Sequence, residues 1–70
     1  MPTYFTLPEA QSKLGKTVVL KTSLYQLPQG ATGKVIDTYK MNNLLGLIVS
    51  LGDFMDGFSK DDYYRFLEEG

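Results

Sequence analysis

The chain is expected to fold as a mainly β domain, a small closed sheet of about five strands with a short helix at each end. Three observations carry that expectation. Helix-start signatures stand near both ends, at Thr6-Leu7-Pro8-Glu9 and Phe58-Ser59-Lys60-Asp61-Asp62-Tyr63. Between them lie β-branched or apolar runs at Thr17 to Thr22, Gly30 to Tyr39 and Leu45 to Leu51, separated by turn residues. Finally, 70 residues without cysteine or histidine allow one core, held by packing alone. The whole chain, 1–70, therefore reads as a single domain.

Each element has a local reason. In the first signature, the Thr6 hydroxyl and the Glu9 carboxylate satisfy amides that a helix start leaves unpaired, and Pro8 is tolerated because its missing N–H has no intrahelical partner there. Leu7, Ala10 and Leu14 share one face, which is expected to close an end of the barrel. Gly15 supplies a left-handed stop. Thr17 to Thr22 is a strand, and Ser23 to Gln29 a loop anchored by Leu24, Tyr25 and Leu27. Gly30 and Gly33, three apart ahead of a β-rich run, suggest a turn or bulge feeding a strongly bent strand. Met41-Asn42-Asn43-Leu44 makes a turn, and Leu45 to Leu51 returns as a strand buried on one face and partly covered on the other. Gly52-Asp53 ends it. In the last segment Ser59 stands at an N-cap with Asp62 at the third helical position, and a helix carries Tyr63, Phe66 and Leu67 on one side. The rival reading is a single helical turn followed by a strand from Tyr64 to Leu67. The capping pattern favours the helix.

The order strand, long anchored loop, Gly-x-x-Gly-x-Val turn and hairpin resembles the SH3-like small barrels. Within that group, Leu27-Pro28-Gln29-Gly30-Ala31-Thr32-Gly33-Lys34-Val35-Ile36-Asp37 resembles small bacterial barrels of unknown role and, more loosely, the KOW element of ribosomal and transcription proteins. The closing Phe58 to Tyr63 is similar to the C-terminus of such bacterial proteins. The resemblance spans about half the chain, Leu14 to Leu51, and implies an SH3-like barrel. Nucleic-acid-binding members place basic residues around this turn, and here those are Lys34 and Lys40. Other barrels of this kind serve as accessory subunits in photosynthetic electron transport, but no motif carries their residues over.

Composition narrows the function classes. Without histidine or cysteine there is no imidazole base, no thiolate nucleophile and none of the usual zinc ligands; a pair such as Asp53 and Asp56 falls in an expected surface loop of a chain too small to wall off a pocket. No enzyme activity and no cofactor are expected. Asp53, Asp56, Asp61 and Asp62 lack the alternation of a calcium loop, so they read as a solvated acidic edge rather than a metal site. The start Met1-Pro2-Thr3-Tyr4-Phe5 lacks a basic stretch and a long apolar run, and no segment approaches the ~18 apolar residues of a membrane span. No membrane role and a cytoplasmic location are the expectations.

Charge is uneven along the chain. Residues 1–41 hold five lysines against two acids, and residues 42–70 two cations against six acids. Nucleic-acid binding would draw on Lys21, Lys34 and Lys40, with Tyr25 and Tyr39 as stacking platforms; a net charge of −1 makes it the runner-up. Protein binding is favoured because two segments put large apolar groups in turns, Met41 to Leu45 and Asp53-Phe54-Met55-Asp56-Gly57-Phe58. Met41, Leu44, Phe54 and Met55 are the candidate contacts, for an unidentified protein or a second copy. Against this, Phe54 and Phe58 could fold back to plug the barrel.

Overall fold

A computed structural model describes residues 3–24 and 26–69, Phe54 by its backbone. The elements run α1 (Leu7–Lys13), β1 (Thr17–Leu20), β2 (Thr32–Met41), β3 (Leu44–Leu51), β4 (Phe54–Phe58), α2 (Lys60–Phe66) and β5 (Leu67–Glu69). The fold is mainly β, one five-stranded antiparallel sheet in the order β4-β3-β2-β1-β5 with two short helices. No ladder among the described residues joins β4 to β5, so the sheet is open where a closed barrel was expected.

The hairpin turns follow from their residues. Asn42 and Asn43 take φ of 50° and 69°, the left-handed pair that a two-residue hairpin with matching twist requires and that asparagine tolerates. This pins Met41 opposite Leu44 and sets the whole β2–β3 register. The irregularity in β2 falls between Val35 and Asp37, leaving Ile36 as the extra residue, so the bulge lies beyond the two glycines that suggested it.

The core is the inward row of β3, Leu47, Val49 and Leu51, closed by Val18, Leu20, Val35, Phe5, Phe58, Tyr63 and Leu67. Phe58 is buried in this core from strand β4, opposite Leu47, with no closed barrel for it to plug. Leu24 and Leu27 anchor their loop, half-buried and bridged to each other; Tyr25 lies outside the described residues. Helix α1 carries the expected capping box, with Thr6 Oγ1 accepting from the Glu9 amide and Glu9 Oε1 from the Thr6 amide. Its packing face is narrower than expected. Ala10 is buried, whereas Leu7 and Leu14 are 55% and 44% exposed, and Phe5, just ahead of the helix, is buried in the core.

The last segment corrects the favoured reading. Ser59 occupies the N-cap, but its hydroxyl donates to Asp61 Oδ1 at 2.8 Å rather than capping an amide. The helix ends at Phe66, and Leu67–Glu69 becomes a strand in register with Val18 to Leu20. The free edge of β1 recruits it, since Leu67 completes the core beside Leu20 and an unpaired edge is costly.

The two charge halves meet across the termini. Lys13 Nζ lies 2.6 Å from Glu69, and Lys60 Nζ 2.8 Å from Glu9. The Tyr63 hydroxyl also donates to Glu69 at 3.0 Å, and the Thr3 amide donates to Asp61. Hydrogen bonding from Lys60, then from the Thr6 amide, holds Glu9 from its ordinary 4.5 down to about 2. The Ser59 hydroxyl lowers Asp61, and Lys13 lowers Glu69 against a burial penalty. Because the folded values lie below the unfolded ones, this stability is present above the ordinary carboxylate range and is lost as pH falls through the folded values. Thermal midpoints are therefore expected to hold between about pH 7 and 5 and to drop from about pH 4 downward. A midpoint followed by circular dichroism that stayed level to about pH 2 would contradict the clasp.

Candidate protein-docking face

Alternation along the strands places one set of side chains on the sheet face away from the core. Tyr39 pairs with Gly46, Met41 with Leu44, Asp37 with Ile48, and Lys34 with Ser50. Across β3, Ser50 pairs with Met55 and Ile48 with Gly57. Because Gly46, Ile48 and Ser50 are two residues apart, all these partners share a face. Met41, Leu44 and Met55 are 55%, 43% and 63% exposed on it. The segment read as a loop is strand β4, so Met55 is displayed from an edge strand instead of a turn. The Phe54 side chain lies outside the described residues. Leu44 and Ser50, Met55's partner, are six residues apart along β3, so the two expected contact segments sit about 20 Å apart at opposite ends of one face.

Between those ends lies a feature the sequence reading missed. A Cβ built on Gly46 would fall on the ring of Tyr39, and one on Gly57 would stand 2.9 Å from Tyr39 Cε1. The Tyr39 ring therefore lies across β3 and onto β4, covering two glycines whose bare backbones give it room. Phe5, bridged to Leu45, continues the β4 side of the sheet. By alternation Tyr4 then reaches the outer face at the level of Gly46. Burial raises the Tyr39 phenol above its ordinary value, with further contributions from Tyr4, Asp62 and Asp56. The available signal was Gly46 itself, a glycine inside an apolar strand run, which marks close approach by another group.

The sheet edges beside this face are guarded by carboxylates. Gly57 lies between the hydrogen-bonded pairs of β4, so its N–H points away from β3, and Asp56 Oδ1 accepts it at 2.8 Å. On β2, past the end of the β1 ladder, Asp37 Oδ1 accepts the Thr38 amide at 2.7 Å. Both contacts remove an open donor that another strand could use. Replacing Asp37 and Asp56 together by alanine is expected to speed amide exchange at Thr38 and Gly57 and to give concentration-dependent self-association. Sedimentation unchanged over a hundredfold concentration range, taken as roughly the span that reveals weak association, would count against this role.

The other expected groupings are not brought together. Lys34 faces outward opposite Ser50, and Lys40 pairs with Leu45 on the opposite face, beside a depression lined by Phe5, Thr6, Leu7, Asn43 and Leu45. Lys21 donates to the Tyr64 carbonyl at 2.6 Å. Tyr25 is outside the described residues, and Tyr39 is occupied with its glycines. The acids also separate: Asp53 is in a turn, Asp56 at an edge and Asp61 at the foot of α2. Among the described residues no three histidine, cysteine or acidic side chains gather as metal ligands would. Neither is any helix of the described residues long and apolar enough to cross a membrane. Compared with family models, curated proteins and solved structures, the chain matches none.

Proposed function

We propose that this chain is a non-catalytic, cytoplasmic binding module of the SH3-like small-barrel type, an adaptor or accessory subunit that docks on a larger protein or on a second copy. The observation that carries the docking role is the outer face of β2, β3 and β4, where Met41, Leu44, Tyr39, Ile48 and Met55 form an apolar stripe along one side of the sheet. For the barrel type, support comes from β2. Its ten residues pair with β1 at one end and β3 along the rest, and a bulge at Ile36 bends it between, which is how a short sheet curls on itself. The KOW-type alternative loses support from Lys34 and Lys40 facing opposite ways, since phosphate binding needs converging cations.

The double substitution Met41→Ser with Met55→Ser tests the reading. Both side chains are exposed, so the melting midpoint is expected to shift little, while binding weakens by at least about tenfold. Lysate capture and analytical ultracentrifugation provide the readout. Unchanged partners and an unchanged oligomeric state would sink the docking role, and salt-sensitive heparin retention would favour nucleic acid instead.

A further inference from the structure

The inner row of β3 outruns the core that covers it. Leu47, Val49 and Leu51 are fully buried, but Leu45, the next residue on that side, is only half-buried. It floors a depression of about 280 Å³ on the core side of the sheet, walled by Phe5 and Leu7 and rimmed by Thr6, Lys40 and Asn43. Lys40 stands opposite Leu45 on β2, and on the other side the Phe5 amide donates to the Leu45 carbonyl at 2.9 Å and holds the N-terminal segment in place. Leu7 was expected in the core; it is 55% exposed and lines this depression instead. The rim carries an unpaired cation. Lys13 and Lys60 are paired with carboxylates and Lys21 with a carbonyl, whereas among the described residues neither the Lys40 ammonium nor the Asn43 amide has a hydrogen-bond or ion-pair partner. None of the six lining residues is acidic, and Glu9, further along α1, is turned to Lys60 and the Thr6 amide.

We infer that this depression seats the C-terminal residue of a partner chain, its aliphatic side chain on Leu45 and Leu7 and its terminal carboxylate on Lys40 and Asn43; that the occupant is a protein rests on the docking role proposed above. An apolar floor beside a free ammonium calls for an apolar group with an anion a few bonds away, and a chain ending in leucine or valine carries both on one Cα. The depression falls short of the ~300–1,000 Å³ typical of sites for drug-sized ligands, so its size suits one or two side chains. A free amino acid would bring a second ammonium beside Lys40. A free aliphatic acid matches the chemistry but stays wet on one side, because Leu7, Lys40 and Asn43 are all exposed. A chain end gains more: Met41 and Leu44 flank the same Asn42-Asn43 turn on the other face, so a tail crossing the hairpin tip meets both.

The test is an NMR titration of the isotope-labelled full chain with an acetylated hexapeptide ending in Val-Leu with a free carboxylate. Its C-terminal amide, its counterpart ending in serine, and 4-methylpentanoate alone are the comparisons. The acid peptide is expected to give saturable shifts at the Leu7 and Leu45 methyl groups and the Asn43 amide. The amide form should bind about tenfold more weakly, the serine form several-fold more weakly, and 4-methylpentanoate more weakly still. Lys40→Gln, at an exposed position, is expected to keep the melting midpoint and weaken the acid peptide by about threefold to tenfold, and Lys40→Arg to retain it. Shifts absent from the depression, an amide form that binds as tightly, 4-methylpentanoate that matches the peptide, or a folded Lys40→Gln protein that binds as before would each overturn the site. The docking role is judged separately: if Met41→Ser with Met55→Ser loses the partner while Lys40→Gln keeps it, docking stands and the chain-end site falls.

Discussion

Replacing Tyr63 by alanine is expected to remove about 3–5 kcal/mol of stability, the range for deleting a large ring from a packed core. Tyr63 is fully buried, stands edge-on to Phe5 at 5.6 Å and to Tyr64 at 5.1 Å, and reaches Glu69 with its hydroxyl. It touches the N-terminal segment, α2 and β5 at once, so the cavity cannot close by a local shift. For a domain of this size that loss lowers the melting midpoint by roughly 15 °C or more. Tyr63→Phe separates the contributions: it keeps the ring and removes one hydrogen bond, with an expected cost of about 0.5–1.5 kcal/mol. Urea titration followed by circular dichroism measures both. A Tyr63→Ala protein within about 1 kcal/mol of the parent would show that α2 does not close the core.

Gly46→Val is expected to have the second large effect, and through a different route. The new side chain would occupy the place of the Tyr39 ring, against Cε1, Cζ and the hydroxyl, so Tyr39 must swing off the sheet. Overpacking of this kind costs about 1–3 kcal/mol, partly offset by the better strand propensity of valine. Gly57→Val should cost less, because Gly57 is exposed and its new Cβ meets the ring edge at 2.9 Å. The order of the two midpoints and the loss of upfield-shifted Gly46 and Gly57 resonances check the assignment. A Gly46→Val protein as stable as Gly57→Val would place Tyr39 elsewhere.

What could be seen in the sequence was what local chemistry decides. The Thr6–Glu9 capping box, the Asn42-Asn43 turn and the Gly52-Asp53 turn need no distant partner, and each stands where it was expected. Strand β3 was legible because its aliphatic run is long enough to declare burial. Strand β4 was not, since Phe-Met-Asp-Gly-Phe contains two residues that strands disfavour and becomes a strand only by lying against β3. Strand β5 is the extreme case. Leu67, Glu68 and Glu69 have little strand character of their own, and the edge of β1 makes them one. Of the candidate face, Met41, Leu44 and Met55 were singled out by their apolar character in turn-rich sequence, and all three are exposed. Tyr39 was noticed as a stacking group but not as the lid on Gly46 and Gly57, because that depends on register, which no local pattern discloses.

The pairing of β1 with β5 also sets a schedule for assembly. Residues 32–58 form a meander whose neighbours follow one another closely in the chain, so it can gather early with little loop closure. Strand β1 gains its second neighbour only when Leu67 to Glu69 arrive, some fifty positions later. On a ribosome, Val18 and Leu20 therefore wait, greasy and half-paired, until Leu67 to Glu69 emerge as the strand that shelters them. Chains halted a few residues short of Leu67 would be the species a chaperone or protease meets first.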